Sequence, residues 1–272
     1  YFAEGANALL SPRRDAYDTR DIVRERLAAS DPDLQKLVGD FFAQADVSAS
    51  YAVAAVNAGN DHLERGDADG AIVAFRRALE RAPTEETALQ ALAYALSLKG
   101  EASAALAAGE KALAAHGTSG GVITTHAEVL RHSARGLDAA LAFLVEARGR
   151  ARAEDRYLVD LALAGQRWAA GDAEGSLAAV DAVLAYQSDN PEGLWSRAAA
   201  LALAGRFSEA FKTYDQAVRL RTGVVDLRND YARDLLRGGR TAEARQQLDE
   251  ARTLDPEDPM AEALRGWADL AG

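Results

Sequence analysis

The stretch AAALALAGRFSEAFKTYDQA, residues 198–217, sets a glycine between two runs whose small and bulky residues recur at helix-face intervals. Ala198 and Leu201 lie seven and four residues before Gly205, and Ala210, Tyr214 and Ala217 follow it at five, nine and twelve. These spacings predict two amphipathic helices joined at Gly205, a residue that takes up the left-handed backbone of a helix end without steric cost. The pattern repeats outward at a period of 34, through Gly171 and Gly239 on either side and through the pair Gly66 and Gly100. Ala71, Phe75, Ala78 and Pro83 follow Gly66 at the same offsets; Ala105, Gly109, Ala112 and Gly117 follow Gly100; Ala244, Leu248, Ala251 and Pro256 follow Gly239. Ser176, Val180 and Val183 after Gly171 keep the register more weakly. Seven residues before each glycine stands a small residue (Gly59, Ala93, Ala164, Ala198, Ala232), where two helices can cross closely, and Pro83 and Pro256 stop the second helix.

A 34-residue helix–turn–helix unit with this small, aromatic, small and proline pattern resembles the tetratricopeptide repeat (TPR) family, over roughly residues 52–270. The resemblance implies an all-α, right-handed superhelical solenoid of about six helix pairs at 52–85, 86–119, 120–156, 157–190, 191–224 and 225–258. An N-terminal helical extension at 1–51 and a C-terminal capping helix at 259–272 complete it, since terminal repeats would otherwise expose an apolar face. The hallmark residues pack helix on helix, so they imply shape and not task.

The third unit is irregular. Ala134 stands where a turn glycine is due and Gly171 follows 37 residues later, so about three residues are extra. They are expected in the polar run Arg148, Arg150, Arg152, Glu154 and Asp155, where they would lengthen a helix and rotate the units that follow. Its second helix buries either Ala139, Phe143 and Glu146 or Ala140, Leu144 and Ala147. In the N-terminal extension, 18–29 and 33–45 read as helices, and the second carries an apolar stripe, Leu34, Leu37, Val38, Phe41 and Phe42, expected either on the first repeat or in the groove.

The 272 residues carry 31 Lys plus Arg against 42 Asp plus Glu, a formal charge of −11, which disfavours nucleic-acid and anionic-membrane partners because phosphate-dominated affinity needs a positive field. No run approaches the roughly 18 apolar residues of a membrane span. Without cysteine there is no disulfide, thiol nucleophile or thiolate metal site, and the redox compartment stays open. The sequence starts at Tyr1 and not at Met, which leaves room for a preceding segment; a cytoplasmic location is the default expectation, and a periplasmic or envelope one follows if that segment was a signal or anchor. Richness in Ala, Gly, Arg and Asp suits a bacterium with a GC-rich genome.

The chemistry expected is sparse. His62 falls where other units place Leu96 and Leu201 and reads as packing; His126 and His132, six apart, lie on different helix faces and cannot chelate one metal within a helix. Thr118, Ser119, Gly120 and Gly121 superficially suggest a phosphate-cradling loop, but no strand precedes them and no Lys follows, so an inter-repeat turn is expected. Arg131, Arg135, Arg148, Arg150 and Arg152 alternate with Glu128, Glu146, Glu154 and Asp155 and read as a solvated face. No clustered acid–base set, metal ligand or cofactor fingerprint emerges, and the expectation is a non-enzyme without a cofactor.

What the family geometry implies instead is a concave groove lined by the first helices. Candidate partner-binding residues are Asn60, Gln90, Tyr94, Leu158, Leu161, Gly165, Trp168, Trp195, Ala199, Asn229 and Arg233, with an apolar and aromatic middle and a polar, mixed-charge C-terminal end. Members that clamp a C-terminal carboxylate do so through Lys, Arg and Asn; only Asn60 matches, while Val56, Ala91, Gly121 and Thr125 depart, so that ligand is not expected. The function expected is a scaffold or adaptor holding a protein or peptide partner in the groove. The alternatives are an interaction module of a larger enzyme or of a secretion, pilus or envelope assembly, and self-association.

Overall fold

The computed structural model describes residues 48–270 together with the helical positions Pro32, Asp33 and Lys36. Beyond these three positions the expected N-terminal helices, with the stripe from Leu34 to Phe42, lie outside the described residues. Thirteen α-helices and no strand occur among the described residues: α1 (Ser48–Glu64), α2 (Ala68–Arg81), α3 (Glu86–Leu98), α4 (Ala102–His116), α5 (Gly120–His132), α6 (Gly136–Ala147), α7 (Arg156–Ala169), α8 (Ala173–Tyr186), α9 (Pro191–Leu203), α10 (Phe207–Leu220), α11 (Val225–Arg237), α12 (Thr241–Leu254) and α13 (Pro259–Leu270). Each odd-numbered helix packs on the even one that follows it and also on the next odd one, which makes the odd helices the inner, concave row of an all-α solenoid.

Five of the turns within pairs share one hydrogen-bond solution. Gly66, Gly100, Gly171, Gly205 and Gly239 have φ between 74° and 80°, and the residue after each donates its N–H five positions back, as Arg206 does to Leu201 O at 2.8 Å and Asp67 to His62 O at 2.8 Å. This satisfies the last carbonyls of the inner helix, and it explains why a period of glycines marks the turns. The start of the next helix is then capped in two units by an acceptor side chain, Asp67 to Gly70 N at 2.9 Å and Asp172 to Gly175 N at 2.8 Å.

The third unit departs from this, and the expected helix extension does not occur. Its positive-φ residue is Gly136 (φ 71°), 36 after Gly100 and 35 before Gly171, so the extra residues divide around the turn. There α5 ends at Ser133, whose hydroxyl donates to Leu130 O at 2.7 Å, a local closure that takes the place of the glycine turn. Helix α6 stops at Ala147, and the following segment is a turn plus a 3₁₀ helix, Ala153–Asp155. Of the two faces proposed for α6, Ala140, Leu144 and Ala147 is the buried one.

Packing follows the small and large alternation. Ala71, Phe75 and Ala78, and again Ala210, Tyr214 and Ala217, are fully buried. A Cβ on Gly59 would sit 2.3 Å from Phe75 Cε1, so this crossing admits no side chain at all, whereas Ala93, Ala164, Ala198 and Ala232 occupy the same place elsewhere. Between α10 and α11 the rings of Tyr214 and Tyr231 stack at 4.8 Å, and each hydroxyl crosses to the other helix: Tyr214 donates to Asp234 and Tyr231 to Asp215, both at 2.8 Å. Burial and the facing carboxylate push the Tyr214 hydroxyl well above the usual phenol range.

Candidate functional site: a two-tryptophan cavity in the concave row

Small residues at the crossing of α7 and α9 leave space that their neighbours do not fill. A largely apolar cavity of about 330 Å³ opens there, walled by Ala164, Gly165 and Trp168 of α7, by Glu192, Trp195, Ser196 and Ala199 of α9 and by Asp230 of α11, with Ser176 of α8 behind. Ser176 is buried and donates to Ala164 O at 2.8 Å, which closes the back without leaving an unsatisfied hydroxyl. Gly165 lies inside α7, and no heavy atom stands within 4 Å of where its Cβ would be. A glycine within a helix costs about 1 kcal/mol relative to alanine, and here packing does not require it; its effect is an open floor.

Both indoles are pinned at their polar edge. Trp168 Nε1 donates to Ala199 O at 3.3 Å, and Trp195 Nε1 donates to Asp230 Oδ2 at 3.0 Å. The other oxygen of Asp230 receives Arg233 NH1 at 2.6 Å, and the same guanidinium lies 5.9 Å from the centre of the Trp168 ring. Burial raises the Asp230 carboxyl above its ordinary value, against the opposing pull of Arg233 and of the Trp195 N–H. Arg233 also reaches Asp234, at 3.7 Å, which accepts from Tyr214 and from Arg237 at 2.9 Å. At the rim, Glu192 pairs with Arg221.

Of the residues expected to line a groove, the structure brings Gly165, Trp168, Trp195 and Ala199 to one cavity, with Arg233 against its wall. Trp168 remains 37% exposed. Leu158 and Leu161 are half-buried on α7, Leu161 packing against the central core. Asn60 and Tyr94 are exposed on α1 and α3, toward the other end of the row, and Gln90, half-buried, lies 3.4 Å from Glu86. Asn229 departs from expectation: it is only 3% exposed, and its Nδ2 donates to Asp258 Oδ2 at 2.5 Å, fastening α11 to the start of α13. Asp230, Ser196 and Ser176 were not among the expected residues. Asp230 and Ser196 occupy the same place in successive units, nine before Gly239 and Gly205, so an inner face one residue wider would have included them.

Other sequence features resolve into local structural roles. His62 is half-exposed and bonds Asp67 at 2.8 Å where its counterparts Leu96 and Leu201 are buried, so it supports a helix cap and not the core. His126 is buried with Nδ1 lacking a partner, edge-on to Phe143 at 5.0 Å, and burial lowers its pKa. Ser119 caps α5 and donates to Glu86 at 2.5 Å, while Asp155 accepts from Gly120 N at 3.2 Å, so two carboxylates stand where a phosphate-binding turn would need none. The arginine run is not uniformly solvated: Arg148 crosses to the buried Asp160 with bonds of 2.5 and 3.0 Å. A second cavity, about 370 Å³ between α12 and α13, is walled mostly by charged side chains, of which Asp258 caps α13 at Ala261 N at 3.0 Å and Arg265 pairs with Asp249.

Family models described as tetratricopeptide repeat match residues 201–268 in one case, and residues 56–119 and 161–224 in the other. No curated protein matches the chain. Among solved structures it is similar to pilF of Pseudomonas aeruginosa, with 20% identity over 80% of this chain and 98% of that one at a TM-score of 0.56. It is similar also to PilW, a widely conserved type IV pilus biogenesis factor, with 16% identity over 79% of this chain and 98% of that one at 0.60. A tetratricopeptide repeat protein from Parabacteroides merdae is 15% identical over 82% of this chain and 87% of that one, at 0.59. At these identities the likeness is one of fold. With its helix pairs, its glycine turns and these matching models, the chain belongs to the tetratricopeptide repeat family.

Proposed function

We propose that the protein is a non-catalytic interaction scaffold that holds a segment of a partner protein along its concave row. The observation that carries this reading is the cavity at the α7–α9 crossing, where two indoles of the inner row face open space. Tryptophan surfaces of this kind dominate binding energy when a partner desolvates them. The charge of −11 argues against a nucleic-acid partner. On this reading residues 52–258 form the recognition array and 259–272 close it.

A photo-crosslinking amino acid placed at Tyr94 or Ala199 on the inner row, and at Val73 or Val145 on the outer helices, tests the reading. Crosslinks from the inner positions to a single partner segment, lost in a Trp168→Ala, Trp195→Ala variant, support it. Crosslinks only from Val73 and Val145 refute the groove, and crosslinks between copies identify self-association instead.

A further inference from the structure

We propose that the cavity between α7, α9 and α11 is an anchor pocket for one aromatic or large aliphatic side chain, presented by a partner segment whose neighbouring residues are basic. The inference rests on the groove reading above and adds the chemistry of the occupant.

Size limits the occupant first. About 330 Å³ is at the lower end of the range of ligand pockets, so it admits one large side chain with its adjoining backbone. The floor is Gly165, where no atom of the chain takes up the space a side chain would use, and the walls are indoles whose N–H groups are already bonded. Apart from the Ser196 hydroxyl and the carboxylates of Glu192 and Asp230, what remains toward the void is ring and methyl surface, which favours an apolar occupant over one with many polar groups to satisfy.

Charge selects the neighbours. Glu192 and Asp226 occupy equivalent places in successive units, 34 residues apart, and Asp230 lies one helical turn beyond Asp226. Arg233 is committed to Asp230 and Trp168, and Arg221 to Glu192; Asp226 is exposed and has no partner among the described residues. One helical turn from the cavity wall, α11 therefore carries a carboxylate that no cation offsets, on a chain of net charge −11, and a segment carrying Lys or Arg beside its anchor meets an attractive field where an acidic one is repelled.

The experiment uses the whole chain and four synthetic peptides in a Gly-Ser frame. Two carry Phe or Leu between paired lysines, a third Gly between the same lysines, and a fourth Phe between paired glutamates. Binding is followed by the indole N–H resonances of Trp168, Trp195 and Trp267, the last serving as a control on α13. The lysine peptides with Phe or Leu should shift Trp168 and Trp195 and leave Trp267 in place. The Gly and the Glu peptides should each bind at least about tenfold more weakly. Gly165→Leu, which fills the floor, should abolish the shifts; Gly165→Ala, which adds one methyl and keeps the fold intact, should reduce affinity several-fold. Asp230→Asn should narrow the difference between lysine and glutamate peptides. Equal binding of Phe and Gly peptides, equal binding of lysine and glutamate peptides, shifts confined to Trp267, or no binding at all each overturns the proposal. Those results leave the groove reading to its own crosslinks, whose partner can lie across the two indoles without seating a side chain between them.

Discussion

Two glycines in the middle of inner helices, Gly59 and Gly165, should respond to the same substitution with opposite sign. Replacing a mid-helix glycine with alanine gains about 1 kcal/mol of helix propensity wherever the added methyl fits. At Gly165 the methyl meets nothing within 4 Å, so Gly165→Ala should stabilise α7 by up to that amount. At Gly59 the new carbon would lie 2.3 Å from Phe75 Cε1 and 2.7 Å from both Cδ1 and Cζ, on a ring that is fully buried and cannot swing away. Overpacking of this kind costs about 1–3 kcal/mol and outweighs the propensity gain, so Gly59→Ala should destabilise by up to about 2 kcal/mol. Because a repeat array opens unit by unit, the assay combines urea unfolding followed by far-ultraviolet circular dichroism with hydrogen exchange of α1 and α7 amides. Adding Phe75→Leu to Gly59→Ala should recover part of the loss, a coupling of about 1 kcal/mol in the favourable direction. If Gly59→Ala stabilises as much as Gly165→Ala, or if Phe75→Leu gives no coupling, the close crossing of α1 and α2 is not the constraint described.

Three further outcomes follow from buried groups and the turn. Burial lowers the His126 pKa below its ordinary 6.5, with Glu110 opposing and Arg135 and Arg150 assisting. The unfolded chain therefore binds the proton more tightly, and stability should fall as pH drops below about 6.5, an effect that His126→Leu should remove from a pH series of urea midpoints. Tyr214→Phe leaves Asp234, 1% exposed, with one donor fewer and should cost about 1–3 kcal/mol, measured as a lowered thermal midpoint with unchanged helical signal. Gly136→Ala should cost about 1–2 kcal/mol because φ there is 71°, whereas Ala134→Gly, at the place the 34-residue period would assign to the turn, should not stabilise the chain.

The fold was legible because the same packing problem is solved again in each unit. Gly66, Phe75 and Ala78 recur as Gly205, Tyr214 and Ala217, so one reading of residues 198–217 extends to most of the chain. Legibility ended where that repetition did. In the third unit Ser133 closes α5 by a side-chain bond that leaves no periodic trace, and Gly136 is then out of phase. His62 was misread because a position that is apolar in other units bonds a capping carboxylate in the first. The cavity was half legible: Gly165, Trp168, Trp195 and Ala199 sit at groove positions, but what orients Trp195 is Asp230, which lies one residue outside the inner-face positions read from the repeat. Asn229, one residue earlier, was expected in the groove and turns inward because Asp258 offers it an acceptor at the neighbouring helix start.

The link between the repeated geometry of the units and the cavity is a polar chain. Tyr214 stands at a packing position of the repeat and donates to the buried Asp234; Arg233 bridges Asp234 at 3.7 Å and Asp230 at 2.6 Å; Asp230 in turn receives the Trp195 indole. Trp195 is thus oriented from the core outward, through groups whose other bonds hold α10 to α11, and a pocket wall fixed in this way loses little freedom when an occupant arrives. The same bonds make the coupling reciprocal. An occupant that excludes water from Asp230 and Arg233 strengthens their pairing and with it the junction of α10 and α11, while loosening that junction frees the indole and weakens binding. Filling the cavity should therefore slow amide exchange in α10 and α11 as well as in α7 and α9, and in a Tyr214→Phe variant the peptide affinity should fall although residue 214 does not line the cavity. Protection confined to α7 and α9, with affinity unchanged in the variant, would mean that the indole is held by Asp230 alone and that the chain behind it carries no coupling.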